Sequence, residues 1–326
     1  MKRERRKGTP QGTGRLAQLK AQLDVRGLRP RKSLGQNFLV DTNFATAVAR
    51  EADADEHTLL MEVGPGTGFL TQTLLNAHPN ARVLAIELDH GLATLLRDTF
   101  AESIAAEKLT LLEGDALSGK HGLNEEWLAE AERIARDEDR TRRVLCANLA
   151  YNMATPLIAN LLVGNLKDGP RASPPAHQDS FALQTNEGGR GPSSRLLHRI
   201  IATVQLELAE RLVGEPSTPD YGPLAVFAAL TTDCRIIRKV GPEVFWPRPQ
   251  VKSAVLRIEL LPWKETPLTP DQAQPFMGFL HQAFGQRRKT LRAALKGTIP
   301  AEHDLAGKRA ENVNPEELLE LFLKIS

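Results

Sequence analysis

The amino-acid sequence predicts an α/β fold: a large domain built on a parallel sheet with helices on both faces, followed by a small α-helical C-terminal domain. Three observations predict it. Seven short apolar runs between residues 59 and 260 are separated, for the most part, by segments of helical period. Strands alternating with helices give a parallel sheet covered on both sides. Four of the runs lead into Gly64, Glu87, Asp115 and Asn148, and open α/β sheets bind ligands at that edge. Residues 271–326 carry helical patterns only.

Taken in order, residues 1–32 are polar, with Gly8, Pro10, Gly12 and Gly14, and read as a basic, flexible arm holding a short helix from Gln18 to Val25. Asp41 is placed to cap a helix from Thr42 to Glu51. Leu59 to Val63 is a buried strand that runs into Gly64-Pro65-Gly66-Thr67-Gly68 and a helix through Phe69, Leu70, Leu74 and Leu75. Arg82 to Ile86 is the second strand, closing on Glu87-Leu88-Asp89 before a helix through Leu92, Leu95, Leu96 and Phe100. Leu109 to Leu112 is the third, closing on Glu113-Gly114-Asp115. A charged helix from Asn124 to Asp137 precedes the fourth strand at residues 144–147. Met153 to Leu162 reads as a helix with Pro156 in its first turn.

Residues 164–195 change character. Gly, Pro, Ser, Gln and Asn dominate, which reads as an inserted flexible loop. The sheet resumes at Ile200 to Gln205, followed by a helix through Leu208 and Leu212 and another from Pro223 to Thr232. Arg235 to Val240 and Ser253 to Leu260 are the last strands. Between them Phe245-Trp246-Pro247-Arg248-Pro249 is too rich in proline for a helix or a central strand. Pro262 to Pro270 marks a boundary, so the chain divides into an arm (1–32), the sheet domain (33–262) and the C-terminal helices (263–326).

Composition narrows the class. The 326 residues are 41% hydrophobic and 25% charged, ordinary for a soluble globular protein. No apolar run approaches the ~18–20 residues that span a bilayer, and no apolar segment of the signal-peptide kind follows the basic start. A cytoplasmic protein without membrane contact is expected. Cys146, Cys234 and the eight histidines show no ligand spacing, so no metal is expected. The net charge of +2 hides an asymmetry. Residues 1–32 hold 11 Lys and Arg against Glu4 and Asp24, a net of +9, and the remainder carries −7. A basic arm on a mildly acidic body suggests a polyanionic partner; the plain alternative is a solubilising tail.

The chemistry-bearing residues lie on the ligand edge. In Gly64-x-Gly66-x-Gly68 the glycines permit a sharp turn and close approach of the backbone to a ligand. A nicotinamide dinucleotide fold prefers G-x-G-x-x-G, and here the third glycine comes one residue early. With Glu62, Glu87 and Asp115 the pattern fits S-adenosylmethionine better. Glu87 is placed to hold the ribose hydroxyls and Asp115 to accept from the adenine amine; the plain alternative for both is helix capping. Asn148-Leu149-Ala150-Tyr151-Asn152 is similar to the Asn-Pro-Pro-Tyr motif of amino-methyltransferases. A purine's exocyclic amine is a poor nucleophile because its lone pair is delocalised into the ring. Acceptors on its two hydrogens, from the Asn148 side chain and the Leu149 carbonyl, free that lone pair for attack by positioning and electrostatics alone. Tyr151 is placed to stack on an extruded base, with Phe245 or Trp246 on the other face.

On these residues the chain resembles the KsgA and RsmA family of rRNA adenine N6,N6-dimethyltransferases. The resemblance covers residues 31–326 apart from the insertion. It rests on GQNFL at 35–39, EVGPGTGFLT at 62–71, IELD at 86–89, GDAL at 114–117 and NLAYNMATPL at 148–157. QLELAERL at 205–212, FWPRPQVKSAVLRIEL at 245–260, FGQRRKTLRAAL at 284–295 and RAENV at 309–313 extend it. It implies a Rossmann-like, seven-stranded class I methyltransferase domain and S-adenosylmethionine as cofactor. Donor binding falls to Asn37, Leu39, Gly64, Gly66, Glu87, Asp115 and Asn148, and catalysis to Asn148, Leu149, Tyr151 and Phe245. The implied reaction is dimethylation of two adjacent adenosines in the 3′-terminal hairpin of small-subunit rRNA, within a nearly assembled 30S-type particle, by a monomer.

Two residues depart from the family pattern. Ala150 stands where proline is usual, which removes a fixed φ but no acceptor. Lys252 stands where aspartate is usual. For RNA, Gln286-Arg287-Arg288-Lys289-Thr290-Leu291-Arg292 is the main internal basic cluster. On a helix Arg288 and Arg292 share a face, and Arg287, Arg288, Lys289 and Arg292 are the expected phosphate contacts; a solvated helix face is the plain alternative. Two other functions remain open at this point, a large-subunit rRNA methyltransferase of the antibiotic-resistance type and a non-catalytic assembly or transcription factor with this fold.

Overall fold

The computed structural model describes residues 11–119, 122–167, 196–262, 265–286 and 288–325. Seven strands form one sheet. In chain order they are β2 (Thr58–Val63), β3 (Arg82–Glu87), β4 (Leu109–Glu113), β5 (Arg142–Asn148), β6 (Arg199–Gln205), β7 (Thr232–Val240) and β9 (Ser253–Leu260). Their order across the sheet is β4-β3-β2-β5-β6-β9-β7. The first five are parallel, and β9 runs antiparallel to β6 and β7 on either side, so the expected parallel sheet is mixed at one end. All six residues of β2 and of β3 are buried, as continuous apolar runs inside a parallel sheet must be. The chain winds outward through β3 and β4, then returns to place β5 beside β2. That reversal opens a crevice between the ends of β2 and β5, where doubly wound sheets hold their ligands.

A second, two-stranded sheet pairs β1 (Phe38–Leu39) with β8 (Phe245–Trp246), antiparallel, with Phe38 opposite Trp246 and Leu39 opposite Phe245. The proline-rich linker therefore contributes a short strand outside the main sheet.

Helices cover both faces. On one lie α2 (Thr42–Glu51), α3 (Phe69–Ala77) and α4 (His90–Thr99), continued by the short α5 (Ala101–Ala105). Phe44, Val48, Leu70, Leu74, Leu96 and Phe100 join Val83, Val144 and Ile201 in that core. Asp41 caps α2 by accepting from Phe44 N, as the sequence predicts. The opposite face is covered by α6 (Glu125–Asp137), α7 (Tyr151–Lys167), α8 (Leu206–Leu212) and α9 (Pro223–Thr231). Asn124 caps α6 through its side chain, accepting from Trp127 N.

The C-terminal helices are α10 (Ala273–Phe284), α11 (Leu291–Ala294) and α12 (Pro315–Ile325). They lie in the same apolar cluster as that second face. Phe276 packs on Phe227, and the Tyr221 hydroxyl donates to the Val313 carbonyl at 2.8 Å. One core thus runs from the sheet to the last helix.

The structure departs from the sequence reading in several places. The N-terminal helix α1 spans Gln11–Val25, not Gln18–Val25. It is docked: Leu23 is buried with Phe38, Leu92 and Leu95, and Leu19 and Leu28 pack around them. The described part of the expected arm is therefore a wall of the body, tied also by Arg26 to Asp98 at 3.4 Å. Helix α7 begins two residues early, so Pro156 lies inside it rather than in its first turn, where its missing N–H leaves the Asn152 carbonyl without the usual helical donor. The first four residues of the expected 164–195 loop continue α7, the Asn165 side chain accepting from Leu197 N at 3.0 Å. Residues 168–195 lie outside the described residues. No helix among the described residues is long and apolar enough to cross a membrane.

Candidate active site

The site is assembled from six chain segments that meet at the β2–β5 crevice. After β2 the chain turns through Gly64, Gly66 and Gly68, all at positive φ, before α3 begins. A Cβ on Gly66 would stand 3.1 Å from the Phe38 ring, and one on Gly68 2.5 Å from Phe100. These two glycines let the loop lie against its neighbours. Gly64 differs: a Cβ there meets no protein atom within 4 Å, and the residue lines the cavity. Its missing side chain leaves room for a ligand rather than for protein.

Glu87, at the end of β3, is buried, and each of its oxygens is engaged. Oε2 accepts from Gly66 N at 2.8 Å and Oε1 from Asp89 N at 2.9 Å. Each carboxylate oxygen keeps a further lone pair, so both remain able to accept from a diol. Glu62, buried within β2, accepts from the Thr71 hydroxyl at 2.7 Å. Burial pushes its carboxyl up to about 8, with the neighbouring Glu87 adding to the rise. Burial raises Glu87 as well, against the two backbone N–H bonds that hold it down. Glu62 therefore keeps its proton at neutral pH and adds no negative charge to the cavity.

The GQNFL segment covers this floor. The Gln36 side chain accepts from Arg31 N at 2.7 Å and donates to Asp89 Oδ2 at 3.3 Å. Arg31 Nε also reaches Asp89 Oδ2 at 3.3 Å. Asp89 Oδ1 meanwhile caps α4, accepting from Gly91 N and Leu92 N. One buried carboxylate thus anchors both a helix and the strap above the cavity. It is Asp89, not Glu87, that does the capping.

Asn148, Leu149 and Ala150 follow β5. Asn148 Nδ2 donates to the Asn37 carbonyl at 3.0 Å. Both Met153 N and Ala154 N donate to the Ala150 carbonyl, so these first amides of α7 bypass Leu149. Tyr151 is half-buried; its hydroxyl lies 3.0 Å from Ser253 Oγ, in hydrogen-bond contact. Burial raises the Tyr151 hydroxyl above its ordinary value, and the Ser253 bond opposes the rise. Phe245 is buried, edge to face with Phe44 at 6.3 Å, yet also lines the cavity. Trp246 turns away from it, toward Phe38 and toward Lys20 on α1.

The cavity brings together all ten residues expected for donor binding or catalysis: Asn37, Leu39, Gly64, Gly66, Glu87, Asp115, Asn148, Leu149, Tyr151 and Phe245. Asp115 is exposed at its rim, its Oδ1 accepting from Leu117 N at 2.9 Å. The basic cluster is arranged otherwise than expected. Helix α10 ends at Phe284 and α11 starts at Leu291, so Arg288 and Lys289 lie exposed in the turn between them and Arg292 on α11. Arg288 and Arg292 do not share a helix, because the chain breaks its helix at Gly285. Arg287 lies outside the described residues. Lys252 is exposed, immediately before Ser253. Nothing in the local pattern at Ser253, Gln36 or Arg31 points to the distant side chains of Tyr151 and Asp89 that they meet. No cluster of three His, Cys, Asp or Glu able to hold a metal occurs among the described residues.

The chain is similar to known proteins over most of its length. Two curated relatives carry the name ribosomal RNA small subunit methyltransferase A. That of Jannaschia is 35% identical over 89% of this chain and 84% of its own length. That of Ruegeria pomeroyi is 36% identical over 85% and 83%. Among solved structures, a dimethyladenosine transferase from Plasmodium falciparum superposes with a TM-score of 0.61 at 19% identity, over 88% of this chain and 96% of that one. The 23S rRNA methyltransferase ErmE does so at 0.56 and 19%, over 89% and 99%. These two likenesses establish the fold. The model of the ribosomal RNA adenine dimethylase family matches residues 27–324, which takes in the strap, the glycine loop, the Asn148 loop and the C-terminal helices, and the chain belongs to that family.

Proposed function

We propose that this enzyme transfers methyl groups from S-adenosylmethionine to N6 of two adjacent adenosines in the 3′-terminal hairpin of small-subunit rRNA, within a largely assembled subunit. The observation that carries the reading is the orientation of the Asn148 amide. The Asn37 carbonyl can only accept, so it takes the Nδ2 side and leaves Oδ1 as the acceptor for an incoming amine. The small-subunit name of the curated relatives supports the choice of RNA.

The cavity residues fit the donor. Glu87 would hold the ribose hydroxyls, Asp115 the adenine amine, and Asn37, Leu39, Gly64 and Gly66 the surrounding walls. When bound, S-adenosylmethionine supplies an electrophilic methyl group on a sulfonium. The protein's part is to make the amine reactive. Asn148 Oδ1 and the Leu149 carbonyl accept its two hydrogens and localise the lone pair. Tyr151 stacks on the extruded base, and Phe245 closes the other side. The nitrogen sheds its proton after attack, once it is cationic and strongly acidic. Arg287, Arg288, Lys289 and Arg292 take phosphates, positioning the RNA without reading its sequence.

The test is transfer of labelled methyl from S-adenosylmethionine to undermethylated small subunits, with large subunits as comparison and Asn148→Ala beside the wild type. Dimethyladenosine at two adjacent positions of the hairpin, lost in the variant, is the expected result. Label confined to the large subunit would overturn it.

A further inference from the structure

Ser253 is the first residue of β9 and is fully buried. Its backbone pairs with Gln205 of β6 on one side and Val240 of β7 on the other. A side chain so placed cannot drift, because the ladder holds its Cα from both flanks. Its hydroxyl is 3.0 Å from the Tyr151 hydroxyl, 102 positions away in the chain. The same stretch of chain carries the second aromatic wall. Phe245 lies eight residues before Ser253 and is fixed by the pairing of β8 with β1 and by Phe44.

We infer that Ser253 is a positioning residue for Tyr151 and sets the slot that receives the target base; the inference rests on the function proposed above. A tyrosine ring has two free torsions, and packing at its root leaves the tilt of its outer end free. A hydrogen bond at the outer end removes that freedom. The face offered to a base then stays parallel to one fixed plane, and the Phe245 wall is held by the same segment. Preorganisation of this kind saves the ordering cost at the moment of binding. It also makes Tyr151 more than a generic stacking ring, since phenylalanine in its place stacks but cannot be held.

The experiment is a double-mutant cycle on the full chain with undermethylated small subunits: Ser253→Ala, Tyr151→Phe and both together, with Ser253→Thr as the variant that keeps a hydroxyl. Loss of one hydrogen bond predicts a fall of about five- to tenfold in kcat for each single variant, with donor affinity by calorimetry unchanged. The double variant is expected to be no slower than either single, because both remove the same bond, and Ser253→Thr is expected to recover most of the rate. The chain has only two tyrosines, so carbon-13 labelling of their rings gives a readout independent of turnover. In Ser253→Ala the Tyr151 resonance should shift or broaden while that of Tyr221 stays in place. Additive losses in the double variant, or an unmoved Tyr151 resonance, would overturn the inference. A wild type that methylates no small-subunit RNA while its Tyr151 resonance responds to Ser253→Ala would overturn the proposed function and leave the hydrogen bond standing.

Discussion

The side-chain amide of Asn148 donates to the backbone carbonyl of Asn37 at 3.0 Å, joining the loop after β5 to the strap that covers the cavity. Asparagine is required there because one end of its side chain must donate and the other accept. Asn148→Asp presents a carboxylate oxygen to the Asn37 carbonyl and removes the donor. We expect at least a roughly hundredfold fall in methyl transfer, the scale seen when one polar group aimed at a reacting centre is deleted. Single-turnover transfer measures it.

Glu87 offers a second test. Glu87→Gln puts an amide N–H against either Gly66 N or Asp89 N, both donors that now point at the carboxylate. The variant is therefore expected to bind S-adenosylmethionine about ten- to a hundredfold more weakly, as the loss of one hydrogen bond to a charged group predicts. Calorimetry reads this without RNA.

Glu62 predicts a pH dependence of stability. Its carboxyl is raised to about 8 in the folded chain from an ordinary value of 4.5. Between those values the unfolded chain releases a proton that the native chain keeps, so stability falls as pH rises. Glu62→Gln removes the titration while keeping an acceptor for Thr71. Wild-type Tm is expected to decline between the ordinary and the raised value more steeply than that of the variant, measured without donor.

Asp89 separates capping from strapping. Asp89→Ser keeps an oxygen for the first turn of α4 but cannot reach Arg31 and Gln36. Donor affinity is expected to fall about thirtyfold, as the loss of roughly 1 kcal/mol from each of the two bonds implies, and Tm to change little. A fall of about fivefold in Gln36→Ala, the share of one such bond, supports the strap as the cause.

The turn between α10 and α11 is tested by salt. Arg288→Ala with Arg292→Ala is expected to weaken RNA binding regardless of sequence. The dependence of log Kd on log salt should flatten by roughly one for each phosphate that is no longer neutralised. Donor affinity should be untouched.

The sheet is legible in the sequence because its inner parallel strands, β2, β3, β5 and β6, are buried on both faces and so appear as largely apolar runs. The donor cavity is legible because its residues cluster at the ends of those runs, each within a few positions of a strand. Helix α1 is longer than its sequence suggests. Its polar residues give little periodicity, and its docking depends on Leu23 finding Phe38, Leu92 and Leu95. The proline-rich Phe245–Trp246 stretch gives no hint of β1, a two-residue partner more than two hundred positions earlier. The Ser253–Tyr151 hydrogen bond is invisible for the same reason, since a lone serine opening an apolar strand looks like an edge residue. Arg288 and Arg292 share a face only on an unbroken helix, and Gly285 breaks it.

The pairing of Phe38–Leu39 with Phe245–Trp246 bears on when this molecule becomes competent. During synthesis the N-terminal strap emerges first, yet its partner strand leaves the ribosome more than two hundred residues later. Ser253 and β9 follow just behind. A loop of that length closes slowly compared with the local helices, so the roof of the donor cavity is among the last parts to form. A chain stalled or cleaved before Phe245 would own the glycine loop, Glu87 and Asn148, and still have no enclosed site. Synthesis past Trp246 is thereby a condition for enclosing this cavity.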